Sequence, residues 1–266
     1  MPDEKTILEA AQALFSEYQA NRTFTALPGP WNIDSIPDAY AVQREYLKML
    51  AEVQGEVAGY KLAYTTATMQ QRAGWHEPCA GALMSTTIYH SPASLRGSLY
   101  QRLGMECEVA VRLSADLPAS GAPYSRDKVA EAVGAVMAAF EVIDMRLPEG
   151  MDGLTRTLTS VATNISNAGA VLGTPITDWR NLDLTAARGT ASINGEEVGS
   201  GHGSDVMGHP FEPLAWLANK LAAEGESLKQ GSIVITGSIV PPKFLESGDR
   251  ALISVDGLGE ATLTVE

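Results

Sequence analysis

An α+β fold is predicted for this chain by two features of its patterning. Helical periodicity fills the N-terminal portion, and short apolar strands with turn signals fill most of the remaining chain, without the strand-helix alternation of a parallel α/β protein. The chain has 266 residues, 45% hydrophobic and 19% charged, a balance that supports one unit spanning 1–266. Within it, 1–55 is predicted to be a helical portion and 56–266 a β-rich portion.

In chain order, Ile7, Leu8, Ala11, Leu14 and Phe15 recur at helical spacing, predicting a helix over Thr6–Tyr18 with Thr6 as its cap. Leu27-Pro28-Gly29-Pro30 reads as a loop, and Pro37 opens a second helix running to Val53. Beyond Gly55, Val57–Tyr64 is strand-like and Met69–Arg72 is a short helical piece stopped by Gly74. Glu106 to Leu113 alternates: Cys107, Val109, Val111 and Leu113 point one way, Glu106, Glu108, Ala110 and Arg112 the other. A helix is predicted from Ser125 to Met137, then a strand over Ala138–Met145. Asn194-Gly195 between Thr190-Ala-Ser-Ile193 and Glu196-Glu-Val198 marks a tight hairpin. Pro213–Ala223 is an amphipathic helix ended by Gly225, Ser232–Thr236 a buried strand, and Ala251–Val255 pairs with Ala261–Val265.

A formal net charge of -13 argues against nucleic acid or an anionic membrane as partner, because both need a basic face. A small anionic substrate then requires a local cationic device. No apolar run reaches a membrane span, and the acidic start does not resemble a signal peptide. Two cysteines, Cys79 and Cys107, give no disulfide framework and read as buried small hydrophobes, so a cytoplasmic location is expected. The four histidines show no ligand spacing, and no phosphate loop, serine elbow or dinucleotide fingerprint is present.

Three carboxylates carry the chemistry. Glu106 and Glu108 leave the same face of a strand, about 6.6 to 6.8 Å apart along it, close enough to converge on one ion; a solvent-facing strand surface is the alternative. Glu141 lies inside Ala138-Ala-Phe-Glu-Val-Ile143, where a buried lone carboxylate is costly unless a cation, or an ion pair such as Arg146, compensates it. An all-carboxylate set favours Mg²⁺ or Mn²⁺ over Zn²⁺. Lys61, in the apolar run Ala58-Gly-Tyr-Lys-Leu-Ala-Tyr64, is either a desolvated base or anion ligand with a lowered pKa, or a side chain that snorkels to the surface.

Taken in order, Gly59-Tyr-Lys61-Leu-Ala-Tyr-Thr65-Thr66, Glu106-Cys-Glu108, Phe140-Glu141-Val-Ile-Asp144, Asn194-Gly195-Glu, Gly208-His209-Pro210, Ala215-Trp216-Leu217-Ala218-Asn219 and Thr236-Gly237 form a specific series. It resembles the 2-oxopent-4-enoate hydratase group of the fumarylacetoacetate hydrolase superfamily. The resemblance implies a mixed β-rich roll with N-terminal and peripheral helices, Mg²⁺ or Mn²⁺ on Glu106, Glu108 and Glu141, a catalytic Lys61, and substrate contacts from Thr65, Asn164, Thr236 and Gly237. It also implies homo-oligomers, possible association with a pathway enzyme, and a small 2-hydroxy-2,4-dienoate or related 2-oxo acid from aromatic degradation as substrate. Hydration is the leading reaction. Decarboxylation of a 2-oxo-enedioate, hydrolysis of an acylpyruvate, and a non-catalytic partner subunit are the alternatives. Where relatives read Pro-Asp-Phe-Gly and Ala-Asp-Asn, this chain has Pro78-Cys79-Ala80-Gly81 and Ala162-Thr163-Asn164; Ala63 and Gly104 replace a usual glycine and arginine.

Overall fold

A computed structural model describes residues 2–266. Three helices come first: α1 (Glu4–Gln19), α2 (Pro28–Trp31) and α3 (Ile36–Gln54). They are followed by β1 (Val57–Ala63), α4 (Ala67–Ala73), β2 (Cys79–Met84), β3 (Ile88–His90), β4 (Ala93–Leu95) and β5 (Leu103–Leu113). Next come α5 (Arg126–Ala132), β6 (Val133–Asp144), α6 (Gly153–Ala162) and β7 (Asn167–Leu172). The chain ends with β8 (Arg188–Ile193), β9 (Glu196–His202), α7 (Phe211–Ala223), β10 (Ile233–Phe244), β11 (Arg250–Val255) and β12 (Gly259–Val265).

The strands form a seven-stranded sheet in the order β2-β1-β10-β5-β6-β7-β3 and a five-stranded sheet in the order β4-β12-β11-β8-β9. Both are mixed: β1 runs parallel to β10, β3 to β7 and β4 to β12, among otherwise antiparallel pairs. The long central pair β5–β6 packs Cys107, Val109, Val111, Phe140 and Val142 against the inner face of the smaller sheet, including Ala251, Ile253 and Leu263. The N-terminal helices make a second core with α6, in which Leu14, Val42, Tyr46 and Leu158 meet β2 at Cys79, Ala82 and Met84.

The larger sheet curls towards closure. The outer edge of β2 is completed by one side chain: the Asn164 amide accepts from Ala82 N at 2.6 Å and donates to Ala82 O at 2.9 Å. Gln43 from α3 adds a bond to Ala80 O at 3.1 Å. Exposed strand edges otherwise invite pairing with another chain, so these two amides seal the roll.

Several predicted boundaries move. The cap of α1 is Asp3, which accepts from Thr6 N, so Thr6 lies inside the helix; Ser35 caps α3 one residue before it begins at Ile36. Pro28–Trp31 is a single helical turn, not a loop. The helix predicted over 125–137 stops at Ala132, and the strand starts at Val133. Val133, Gly134 and Val136 are poor helix formers, every residue of β6 except Gly134 is buried, and a ladder with β5 along most of its length makes the run a strand. The helix α6 is threonine-rich and was not predicted, although Leu154, Leu158, Val161 and Ala162 fall at helical spacing. It forms because Asp152 caps it and because Leu158, Val161 and Ala162 bury one face, while the hydroxyls of Thr157, Thr159 and Thr163 are satisfied by carbonyls four residues back, at 2.9, 2.9 and 2.7 Å. The hairpin at Asn194-Gly195 is as predicted, both residues having positive φ.

Candidate metal centre

Strand register brings the three glutamates together. Glu106 on β5 lies directly opposite Glu141 on β6, and Glu108 projects from the same face two residues on. One ligand oxygen from each lies within 4.8 Å of the others. Glu108 and Glu141 are fully buried (0% exposed), whereas Glu106 is partly open and has Ser238 as a neighbour. Like charges facing each other across a ladder repel, so this arrangement calls for a cation.

Lys61 supplies part of it. Its Nζ is 3.0 Å from Glu141 Oε1, and the side chain is 3% exposed, so it does not snorkel. Burial works against its charge, but Glu141, Glu106 and Glu108 outweigh that effect and hold its pKa above the usual lysine value. The lowered pKa anticipated for a desolvated lysine is therefore reversed by its acidic neighbours. Arg146, the alternative partner for Glu141, is instead committed to Asp144 at 2.5 Å.

One lysine does not balance three clustered carboxylates, two of them fully buried. Burial, reinforced by Glu141, pushes Glu106 up to about 8; burial, then Glu141 and Glu106, pushes Glu108 well above the carboxylate range. Glu108 Oε2 accepts from Gly237 N at 2.7 Å, and Glu141 Oε1 accepts from Lys61 and from Asn167 Nδ2 at 3.0 Å. Glu108 Oε1 and Glu141 Oε2 are buried with no donor. Two orphaned carboxylate oxygens beside a third carboxylate fit a hard divalent cation that takes oxygen ligands. Among the described residues, this is the group of three or more acidic, histidine or cysteine side chains that could hold such an ion.

The remaining predicted site residues surround this cluster unequally. Thr65 is buried against Gly237: a Cβ on that glycine would lie 2.4 Å from Thr65 Oγ1, and Gly237 has a φ of +126°. Thr236 donates its hydroxyl to Val109 O at 2.9 Å, and the Asn164 amide is spent on Ala82, so both side chains are engaged in the strand frame around the cluster. Gly81 separates Asn164 from Lys61, and a Cβ there would stand 2.8 Å from Asn164 Oδ1 and 3.3 Å from Lys61 Cγ. Sequence reading missed Asn167 and Gly81. An asparagine opening an apolar strand was the available signal for Asn167; for Gly81 it was the glycine shared with the resembled Pro-Asp-Phe-Gly pattern, although its neighbour Lys61 comes from another strand.

The departures from the resembled pattern also have places. Cys79 is buried under Tyr40, and burial pushes its thiol up to about 12, leaving it neutral at physiological pH. The Thr163 hydroxyl donates to Thr159 O within α6. A side chain at Gly104 would meet Ile143 Cγ1 at 2.8 Å, so the position has no room for an arginine without rearrangement. None of the four histidines belongs to the carboxylate cluster.

This roll, with a buried carboxylate trio at its centre, defines a member of the fumarylacetoacetate (FAA) hydrolase C-terminal family, whose model matches residues 39–266; the chain belongs to that family. Among its relatives, 2-hydroxyhexa-2,4-dienoate hydratase of Comamonas testosteroni is 34% identical over 266 residues, covering 99% of this chain and 98% of that protein. The 2-keto-4-pentenoate hydratase of Burkholderia vietnamiensis is 29% identical over 99% of both chains. Of solved structures, 4-oxalocrotonate decarboxylase from Pseudomonas putida G7, complexed with magnesium and adipate, superposes with a TM-score of 0.91 at 25% identity, covering 100% of this chain and 99% of that one.

Proposed function

We propose that this chain is a divalent-metal-dependent hydratase of a small 2-hydroxy-2,4-dienoate or related 2-oxo acid, acting in the breakdown of aromatic compounds. The observation that carries the reading is the trio Glu106, Glu108 and Glu141, with two buried oxygens lacking donors and Lys61 beside them. Full-length similarity to named hydratases supports the reaction type. Glu106, Glu108 and Glu141 hold Mg²⁺ or Mn²⁺, which when bound supplies Lewis-acid stabilisation of the negative charge developing on the 2-oxo group. The chain works as one catalytic unit, with the helical portion 1–55 packed on the β-rich portion 56–266.

The overall change adds water to the dienol. The 2-hydroxyl proton leaves, a proton arrives at C5, the water oxygen bonds to C4 and keeps one of its protons, and a proton ends on C3. Lys61 is the group placed to hold a proton next to the reacting atoms: Nζ gives one bond to Glu141 and keeps further donors for the substrate. Thr65 and the Gly237 backbone line the substrate side, while Asn164 and Thr236 fix the walls behind them. With Cys79 and Thr163 in place of acids, proton transfer falls to Lys61. The protein is cytoplasmic and homo-oligomeric in this reading, and it can associate with an enzyme of its pathway; no helix among the described residues is long and apolar enough to cross a membrane.

The test is an ultraviolet assay with Mg²⁺ or Mn²⁺ against 2-hydroxydienoates, 2-oxo-enedioates and acylpyruvates, with products identified by mass. Gain of one water supports the hydratase. Loss of carbon dioxide supports a decarboxylase instead, the activity named for a relative that shares this fold at a TM-score of 0.91. Cleavage of an acylpyruvate moves the assignment to a carbon–carbon hydrolase. Metal binding with no turnover on any of them points to a non-catalytic partner subunit.

A further inference from the structure

We infer that Asn167 is a positioning residue that aims Glu141, fixing which of its two oxygens faces the metal position; this deepens the metal-centre reading above and rests on it. Glu141 Oε1 already takes the Lys61 ammonium at 3.0 Å, and the Asn167 amide donates to the same oxygen, also at 3.0 Å. Oε2 is buried with no donor at all. Two donors from opposite neighbours on one oxygen lock the carboxylate's rotation, and a locked carboxylate presents its free oxygen without an ordering cost at binding.

The backbone is built to deliver that amide. Along β6–β7, Glu141 faces Ala170 and Val142 faces Gly169, but Ile143 faces Asn167, so the register shifts and Ala168 is passed over. A residue in register opposite Ile143 shares the face of Glu141, and the bulge is what places Asn167 there. Just before it, Asn164, Ile165 and Ser166 have φ of 58°, 54° and 56°. Successive non-glycine residues in the left-handed region are costly, each by about 1–2 kcal/mol. This turn sets Asn164 on the edge of β2 and Asn167 on Glu141, three residues apart, and Asn167 Nδ2 is further steadied by Gly169 O at 3.3 Å.

The experiment titrates Mn²⁺ alone into purified wild type, Asn167→Ala and the volume-preserving Asn167→Leu, reading affinity by electron paramagnetic resonance and metal hydration by water proton relaxation. Removal of an outer-shell partner is expected to weaken Mn²⁺ about tenfold in both variants. Bound-metal relaxivity is expected to rise as water takes a place Glu141 no longer holds firmly, while the melting temperature without metal stays near wild type. Affinity and relaxivity within twofold of wild type in either variant would overturn the assignment. So would variants that fail to fold even with Mn²⁺, which would make the amide a structural bond. Should wild type itself bind no Mn²⁺, the metal-centre reading fails first, and the two failures are told apart.

Discussion

Glu141 joins every part of the centre: it faces Glu106 across the ladder, pairs with Lys61 and accepts from Asn167. Glu141→Ala is expected to lower turnover by at least about a hundredfold and to abolish tight Mn²⁺ binding, with the circular dichroism spectrum unchanged. Loss of folding with no separate loss of metal binding would mark the site as structural. The glutamates also set a pH dependence. Burial and the neighbouring Glu141 push Glu106 up to about 8 in the folded protein, against about 4.3 when unfolded. Between those values the folded state binds more protons, so the stability of chelator-treated protein falls as pH rises from about 4.5 to about 8. Saturating Mg²⁺ binds the deprotonated form and removes that fall. Thermal melts across this range, with and without Mg²⁺, check the sign.

At the scale of elements, the site depends on how β2 is held. Asn164 serves as the missing strand neighbour for Ala82, giving and receiving one bond each. Asn164→Ala leaves both Ala82 groups buried and unpaired, a cost of about 2 kcal/mol and a fall of about 4–8 °C in Tm. Because β2 carries Gly81 against Lys61, KM and kcat are expected to suffer along with Tm. An unchanged Tm by calorimetry would mean that water replaces the amide. The pairing of β1 with β10 has equally little slack, since a Cβ on Gly59 would sit 2.0 Å from Ile233 O.

Over the whole molecule, the charge of -13 opposes an anionic substrate. The centre overcomes this locally with a bound dication and Lys61, but approach from solution still crosses a negative field. Raising a non-coordinating salt from about 0.02 M to about 0.2 M, with metal saturating, is expected to raise kcat/KM about twofold as that field is screened. A fall would show that the positive potential of the centre reaches past the surface and governs capture.

Much of this was legible in the chain itself. Alternation over 106–113 put Glu106 and Glu108 on one face, the apolar run around Glu141 made its burial costly, and the Asn194-Gly195 turn fixed a hairpin, because each signal is local and has the period of its own element. The order of motifs placed the chain in its family. Tertiary structure alone decided the rest. The apolar run over 133–144 is buried throughout save Gly134 and so carries no alternating period of its own, and its extent as a strand is set by the partner β5. Asn167 and Gly81 have meaning only across the sheet, against Glu141 and Lys61. The sign of the Lys61 shift came from three carboxylates contributed by two other strands, and contacts between residues distant in sequence leave no period along a chain from which to read them.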